Sequence, residues 1–407
     1  MNVLVINCGS SSIKYAVYAM PSARVASKGV VDRIGQKPSW HKYEHRDRKG
    51  MHAVEIEDHQ QGMGLILDSV LDGKAGLAPG DGVIDGVGHR IVHGGHVESE
   101  AAFIDEQVMK IIEKFAPMAP LHNPPDLMAI RAVTERMRDV PQVACFDTAF
   151  HQTIPEEAYL YGLPLRFHEE YGVRRYGFHG ISHHFVAKRA AQILGRPVDK
   201  LNAITCHLGN GCSVAAIRDG RSVDTSMGLT PLEGLLMGTR AGDIDPGALF
   251  YLMDRGIELE ELRAIMHNES GLLGLSGVSR DMRDILHAVS QGDRKAETAL
   301  RVFCYRLRKY IGAYVAILGD VHALVFTGGI GENTPEVRRR ACADMRHLGI
   351  EIDAGKNEAT AGQEVDISAD QSRVKILVIP TDEELAIAGQ TYELLTSRAG
   401  VTAAEPS

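Results

Sequence analysis

The feature that most constrains this chain is that it repeats itself. Val3-Leu-Val-Ile-Asn7-Cys-Gly9-Ser-Ser-Ser12-Ile-Lys14-Tyr-Ala-Val is an apolar strand, a polar residue, a Gly/Ser turn and a returning strand. Ala203-Ile-Thr-Cys-His207-Leu-Gly209-Asn-Gly211-Cys-Ser213-Val-Ala-Ala-Ile follows the same order. Asn7 and His207 are 200 positions apart in a chain of 407 residues, close to half its length. A duplicated strand–turn–strand unit at that spacing predicts two related α/β domains facing each other across a cleft. The length agrees, because a single core stops growing near ~250–300 residues.

The net charge of −9 excludes the basic excess of a general nucleic-acid or anionic-membrane binder. An anionic substrate must therefore be met by a few placed Arg and Lys. Six Cys occur without a CxxC pair, mostly in apolar text, and read as reduced, buried thiols of a cytoplasmic protein. MNVLVINCGS lacks a basic segment and a long apolar run, so it reads as a strand rather than a signal peptide. The apolar stretch Tyr310–Ile330 carries Asp320 and His322, which fits a helix end followed by a strand rather than a membrane span.

Periodicity and punctuation predict strands over Val3–Ile6, Tyr15–Met20, Ser27–Ile34, His52–Ile56, Gly86–Val92 and Gln142–Phe146. Later strands are expected from Asn202, over Ala323–Phe326 and over Val374–Ile379. Helices are expected over Gly62–Leu71, Gln107–Phe115, Asp126–Met137, Thr334–Leu348 and Glu383–Thr396, with long helical text over Arg280–Leu318.

Three Gly-rich segments could hold phosphate. The turns at Gly9–Ser12 and Gly209–Gly211 leave no Cβ over their backbone N–H groups, and such concavities bind anions. Ser10, Ser11 and Ser12 add hydroxyls, and Lys14 adds charge. Thr327-Gly-Gly-Ile-Gly-Glu-Asn333 lies between a strand and a helix and offers a helix N-terminus to a nucleotide. Neither a GxxxxGK[ST] loop nor a convincing GxGxxG fingerprint is present, and His45-Arg-Asp47 lacks the rest of a protein-kinase signature.

Arg90, within Gly88–Gly95, and Arg240, within Thr230–Pro246, sit among glycines and apolar residues. Each could grip a carboxylate or phosphate with its planar fork, or form a structural ion pair. His179 and His183 have the spacing of zinc ligands, but Gly180 weakens a helix and the HExxH glutamate is missing. Donation from a histidine to a phosphoryl oxygen fits better. Some of His89, His93, His96 and His184 are expected to be hydrogen-bonded structural residues. Asp147, at a strand end, and Thr381-Asp-Glu-Glu384 supply carboxylates suited to Mg²⁺.

Asn7–Lys14, Gly177–His183, His207–Ser213, Thr230–Pro246, Phe326–Asn333 and Thr381–Glu384, in this order, resemble the acetate kinase family over nearly the whole chain. The resemblance implies a duplicated ribonuclease-H-like fold of the actin/hexokinase/heat-shock ATPase superfamily with a central cleft. It places one domain over residues 1–150 plus 384–407, and a nucleotide-binding one over 151–383. The implied reaction is reversible, Mg²⁺-dependent (Mn²⁺ possible) in-line transfer from ATP to acetate, giving ADP and acetyl phosphate. Asn7 and Glu383 would assist the metal, with Lys14 near the phosphates. His207, Leu208, Gly209, Asn210, Gly211, Asp281, Met282, Arg283, Gly329, Ile330, Gly331, Glu332 and Asn333 would hold the nucleotide. Arg90 and Arg240 would grip carboxylate and phosphoryl group, and His179 would bond the phosphoryl oxygens. Asp147 would act as acid/base or orient an Arg. Val92, Leu121, Phe178 and Pro231 would shape the acyl pocket. A homodimer is implied. Propionate or butyrate kinases, a sugar kinase and a non-kinase ATPase on the same core are the rival readings.

Overall fold

The computed structural model describes residues 1–9, 11–45, 48–71, 82–97, 99–120, 122–360 and 362–402. Ser10, Leu121 and the Arg46-Asp47 pair of the charged loop therefore lie outside the described residues. The chain forms two compact units, Met1–Ala149 with Asp382–Ser407, and Phe150–Thr381.

The first unit carries β1 (Asn2–Cys8), β2 (Ser12–Ala19), β3 (Arg24–Asp32), β4 (Ser39–His45), β5 (Arg48–Val54), β6 (Ile84–Ile91), β7 (Ala101–Phe103) and β8 (Gln142–Phe146). They lie in the order β5-β4-β3-β2-β1-β6-β8-β7. β1 pairs antiparallel with β2 but parallel with β6, which is parallel to β8. Central parallel strands are covered on both faces, so they read as continuous apolar runs. Leu4, Ile6 and Val87 pack against Met63, Ile66 and Val133 from helices His59–Leu71 and Asn123–Arg136. Gly86 and Gly88 point to the other face, against helix Glu383–Thr402.

The second unit holds β9 (Ala203–Leu208), β10 (Cys212–Arg218), β11 (Arg221–Thr225), β12 (Ala323–Thr327), β13 (Val365–Asp366) and β14 (Lys375–Val378), in the order β11-β10-β9-β12-β14-β13. Its five-strand core β11-β10-β9-β12-β14 repeats β3-β2-β1-β6-β8 in order and direction. Even the register agrees. Asn7 faces Lys14, and His207 faces Ser213. The duplication legible in the sequence is thus a duplicated ribonuclease-H-like core. Helix Gly180–Ile193 covers one face of this sheet through Val186, Ala187 and Ala190 against Ala203, Val325 and Leu377.

Several expectations need correction. β4 was not foreseen because its buried residues include Ser39, His41 and His45, not an apolar alternation. His41 is accommodated by a hydrogen bond between its Nε2 and the Tyr15 hydroxyl, at 3.1 Å. The helical text from Arg280 breaks into Met282–Ser290 and Arg294–Leu318. Gly292 turns with φ of 83°, and the Asp293 carboxylate caps the second helix by accepting from the Lys295 and Ala296 amides. The Thr334–Leu348 helix is only Pro335–Cys342, and the glycines before it form a helix of their own, Gly328–Asn333.

A Cβ on Gly88 would lie 2.4 Å from Thr391 Oγ1 and 2.7 Å from Ile387 Cγ2. Gly88→Ala is expected to push helix Glu383–Thr402 off the sheet and lower stability by ~1–3 kcal/mol, measured by urea unfolding.

Candidate functional site

Polar side chains of the first unit gather where its central strands end. Asn7 lies near the end of β1, Arg90 near the end of β6, and Asp147 immediately after β8. Arg90 Nη2 pairs with the fully buried Asp147 carboxylate, and Arg90 Nη1 lies 3.4 Å from Asn7 Oδ1. Burial alone would lower the Arg90 pKa, but Asp147, Glu383 and Asp126 outweigh it and hold the guanidinium charged. Glu383 is pushed up by burial and by Asp147 and Asp382, against the pull of Arg90 and Lys14. The structure therefore brings Asn7, Arg90, Asp147 and Glu383 into one electrostatic cluster. Asp126, buried at the start of its helix, couples to Arg90 and Asp147 as well and was not foreseen.

Val92 follows Arg90 on the same segment and is buried. Lys14, on β2 opposite Asn7, is exposed.

In the second unit, His179 takes left-handed backbone angles, φ 58° and ψ 23°, just before helix Gly180–Ile193. A non-glycine residue held there costs about 1–3 kcal/mol, and such strain collects at functional positions. Its ring stacks on His207 with centroids 4.2 Å apart. His179 Nδ1 and Ser213 Oγ are 2.8 Å apart, and His207 Nδ1 and Ser182 Oγ are 2.8 Å apart. His183 is satisfied at both nitrogens, by Thr205 Oγ1 and Ser213 Oγ at 2.7 Å each. Burial first, then His151 and His207, hold His183 neutral. It is a hydroxyl-bonded core histidine. His184 likewise stacks on Phe150, with ring centroids 4.8 Å apart. Among the described residues no cluster of three or more His, Cys, Asp or Glu could hold a metal.

The absent side chain of Gly211 opens a shared space. A Cβ there would lie 3.4 Å from His179 Nε2 and 3.7 Å from Arg240 Nη1. Arg240 Nη1 donates to the Pro231 carbonyl at 2.9 Å. Burial lowers the Arg240 pKa, only partly opposed by Cys212, and no ion pair compensates it among the described residues of its unit. Phe178 is buried behind His179, and its carbonyl lies 3.1 Å from His151 Nε2.

Beside this cluster is a cavity of about 580 Å³ lined by Gly209, Asn210, Arg280, Asp281, Met282, Arg283, Leu286, Gly329, Ile330, Asn333 and Thr334. Three segments far apart in sequence meet there. Asp281 caps helix Met282–Ser290 and pairs with Arg283. Leu208, Gly331 and Glu332 do not line the cavity but brace it. Glu332 Oε1 accepts from the Gly328 and Thr381 amides at 2.8 and 3.2 Å.

Comparison with known proteins decides the family. The sequence model of the Acetokinase family matches residues 2–389. The chain belongs to the acetokinase family. It is 50% identical to the acetate kinase of Thermotoga maritima over 97% of this chain and 99% of that one. The crystal structure of Porphyromonas gingivalis acetate kinase superposes with a TM-score of 0.90 at 44% identity, over 97% of this chain and 99% of the other. A propionate kinase structure from Francisella tularensis subsp. tularensis gives 0.89 at 38% identity, covering 96% and 99%.

Like its family, the chain is a kinase, a phosphotransferase that uses ATP and ADP. Among the described residues no helix is long and apolar enough to cross a membrane. Sequence reading missed Arg280, Leu286 and Thr334 of the cavity, because nothing in an isolated Arg, Leu or Thr announces the surface it lines. It also missed Arg338, fully buried, whose Nη1 donates to the Gly331 and Glu332 carbonyls at 2.7 and 2.9 Å and holds the Gly-rich helix from behind.

Removing one partner of a buried ion pair strands the other. Asp147→Ala is expected to cost about 3–5 kcal/mol, measured by denaturant unfolding. Unchanged stability would show that water reaches Arg90.

Proposed function

We propose that this kinase transfers the γ-phosphoryl group of ATP directly to acetate. A carboxylate oxygen forms the new P–O bond as the bond to the β-phosphate oxygen breaks, giving acetyl phosphate and ADP; the reaction runs in both directions. The observation that carries the reading is Arg240, a desolvated guanidinium without a carboxylate partner among the described residues of its unit, beside His179 and the open backbone of Gly211. A buried cation left uncompensated is costly, and a phosphoryl group supplies the missing charge.

The cavity bordered by Asn210, Asp281–Arg283, Gly329, Ile330 and Asn333 takes the nucleotide. His179 donates from Nε2 to a phosphoryl oxygen, its ring held by Ser213 and by stacking on His207. Arg90 takes the acetate carboxylate. Asp147, buried against Arg90, orients that guanidinium rather than moving a proton. A carboxylate is already a nucleophile at neutral pH, so no base is required. Charge spreads over the phosphoryl oxygens in the transition state, so positioned cations do most of the work.

Asn7 Oδ1, near the end of β1, and the Glu383 carboxylate, at the start of helix Glu383–Thr402, are hard oxygen donors that both act on Arg90. They fit Mg²⁺, which takes one or two protein oxygens and completes its shell with phosphates and water. When bound, the ion would neutralise phosphate charge. The exposed Lys14 lies close enough to act on the same charge.

Acetate is favoured over propionate because Val92 narrows the acyl end, although one methylene is worth only ~1–3 kcal/mol. The chain pairs with a second copy. Helix Pro246–Asp254 buries none of its residues and leaves Phe250 and Tyr251 66% and 57% exposed, an apolar face of the kind a subunit covers.

Arg90→Ala and Arg240→Ala are each expected to lower kcat by ~10³-fold or more in a folded protein, with acetyl phosphate trapped as its hydroxamate. Near-normal turnover in either variant removes that side chain from the reaction. Parallel assays with acetate, propionate and butyrate on the parent and on Val92→Ala test the acyl assignment: the acetate preference is expected to fall in the variant.

A further inference from the structure

The segment Val92–Gly95, which leaves β6 just after Arg90, is fixed by buried groups outside the reaction just described. The fully buried Asn123 side chain acts on the backbone of His93 as a neighbouring strand does. Its Oδ1 accepts from the His93 amide at 3.1 Å, and its Nδ2 donates to the His93 carbonyl at 3.0 Å. The same Nδ2 donates to the Ile112 carbonyl at 3.1 Å, which ties the clamp to helix Glu106–Phe115. Thr148, also fully buried, accepts from the Gly94 amide at 3.2 Å. The Gly95 amide donates to His93 Nδ1 at 3.1 Å, and the Asp147 amide donates to the Ile91 carbonyl at 2.9 Å.

Aromatic rings close the remaining space. A Cβ on Gly94 would lie 2.4 Å from Phe146 Cδ1, and one on Gly95 would lie 2.0 Å from Phe115 Cε2. The His93 ring stacks on Phe115 at 4.9 Å with an interplanar angle of 11°. Each amide from His93 to Gly95 therefore has a named acceptor, and neither glycine tolerates a side chain.

We propose that Asn123 and Thr148 are positioning residues that set the acyl-chain selectivity of the site, by fixing the backbone on which Val92 and Arg90 stand. This rests on the reading of Val92 as the residue that narrows the acyl end. Substrate discrimination by an apolar wall requires that the wall not retreat. A methylene needs little more than an ångström, and a backbone held only by its own strand would yield that much. The side-chain clamps remove that freedom, and Thr148 directly follows the carboxylate that orients Arg90.

The test compares kcat and KM for acetate and propionate in Asn123→Leu, Thr148→Val and Thr148→Ser, with Val92→Ala and Gly88→Ala as references. Thr148→Val keeps the shape and removes the acceptor, whereas Thr148→Ser keeps the acceptor. Asn123→Leu and Thr148→Val are expected to raise the KM for acetate more than they lower kcat. They are also expected to cut the acetate-over-propionate ratio in kcat/KM by ~10-fold, the scale of one methylene. Thr148→Ser is expected to restore the ratio. Gly88→Ala, which disturbs the same unit elsewhere, is expected to lose stability and keep the ratio. An unchanged ratio in Asn123→Leu and Thr148→Val, while Val92→Ala shifts it, overturns the positioning role and leaves the reading of Val92 standing. No shift in Val92→Ala overturns that reading and, with it, this inference. An equal shift in Gly88→Ala reduces the effect to general destabilisation and overturns the positioning role.

Discussion

Burial of the central strands on both faces is the constraint from which the rest follows. Along β1, Val3 to Ile6 are all essentially inaccessible, and along β9 every residue from Ala203 to Leu208 is buried. Inside such strands a polar side chain must be paired, as Thr205 is with His183 and His89 with Gln142, and the unpaired chemistry gathers near the ends, where the sheet stops and the covering helices begin. Asn7, Arg90 and Asp147 occupy those ends in one unit, and His207 and Thr327 occupy them in the other. Ligands of open parallel sheets bind outside the carboxyl ends of the strands for the same reason.

The two polar clusters solve the problem of buried charge differently. Arg90 is neutralised within its own unit by Asp147, with Glu383 and Asp126 nearby, so its guanidinium is fixed in direction before any ligand arrives. Among the described residues of its unit Arg240 donates to the Pro231 carbonyl and the Met237 sulfur, at 2.9 and 3.7 Å, and to no carboxylate. One cation is pre-oriented and the other is left in need of an anion. A net charge of −9 does not argue against an anionic substrate, because the field that matters comes from a few desolvated groups.

The strands with near-continuous apolar text, β1, β8, β12 and β14, were legible because burial on both faces leaves no alternation to misread. β4 was not, since its inward positions are Ser39, His41 and His45, where Ser39 bonds the nearby Arg33 and Gln36 carbonyls and His41 meets the Tyr15 hydroxyl of another strand. The Gly-rich motifs marked the cavity in the second unit, but not its shape. Gly328–Asn333 is a helix only because Gly328 adopts φ 76° and its amide donates to Glu332, a local closure that a glycine count does not reveal. The ion pair of Arg90 could not be assigned from sequence because Asp147 lies 57 positions away and only the parallel register of β6 and β8 joins them.

Duplication also explains why the units share a backbone and not a chemistry. The hairpin register is the same, yet Asn7 is replaced by His207 and Lys14 by Ser213. The position beside the first strand's polar residue holds Arg90 in one unit and Thr327 in the other, where Thr327 pairs with His207. A hairpin fixed by main-chain hydrogen bonds can exchange an amide for an imidazole without moving. The first unit kept oxygen donors and a guanidinium paired with a carboxylate. The second kept imidazoles, bare backbone and a guanidinium with no carboxylate partner among the described residues of its unit. One fold can carry two such different sets of groups because its architecture constrains the strand interiors and leaves the strand ends free to diverge.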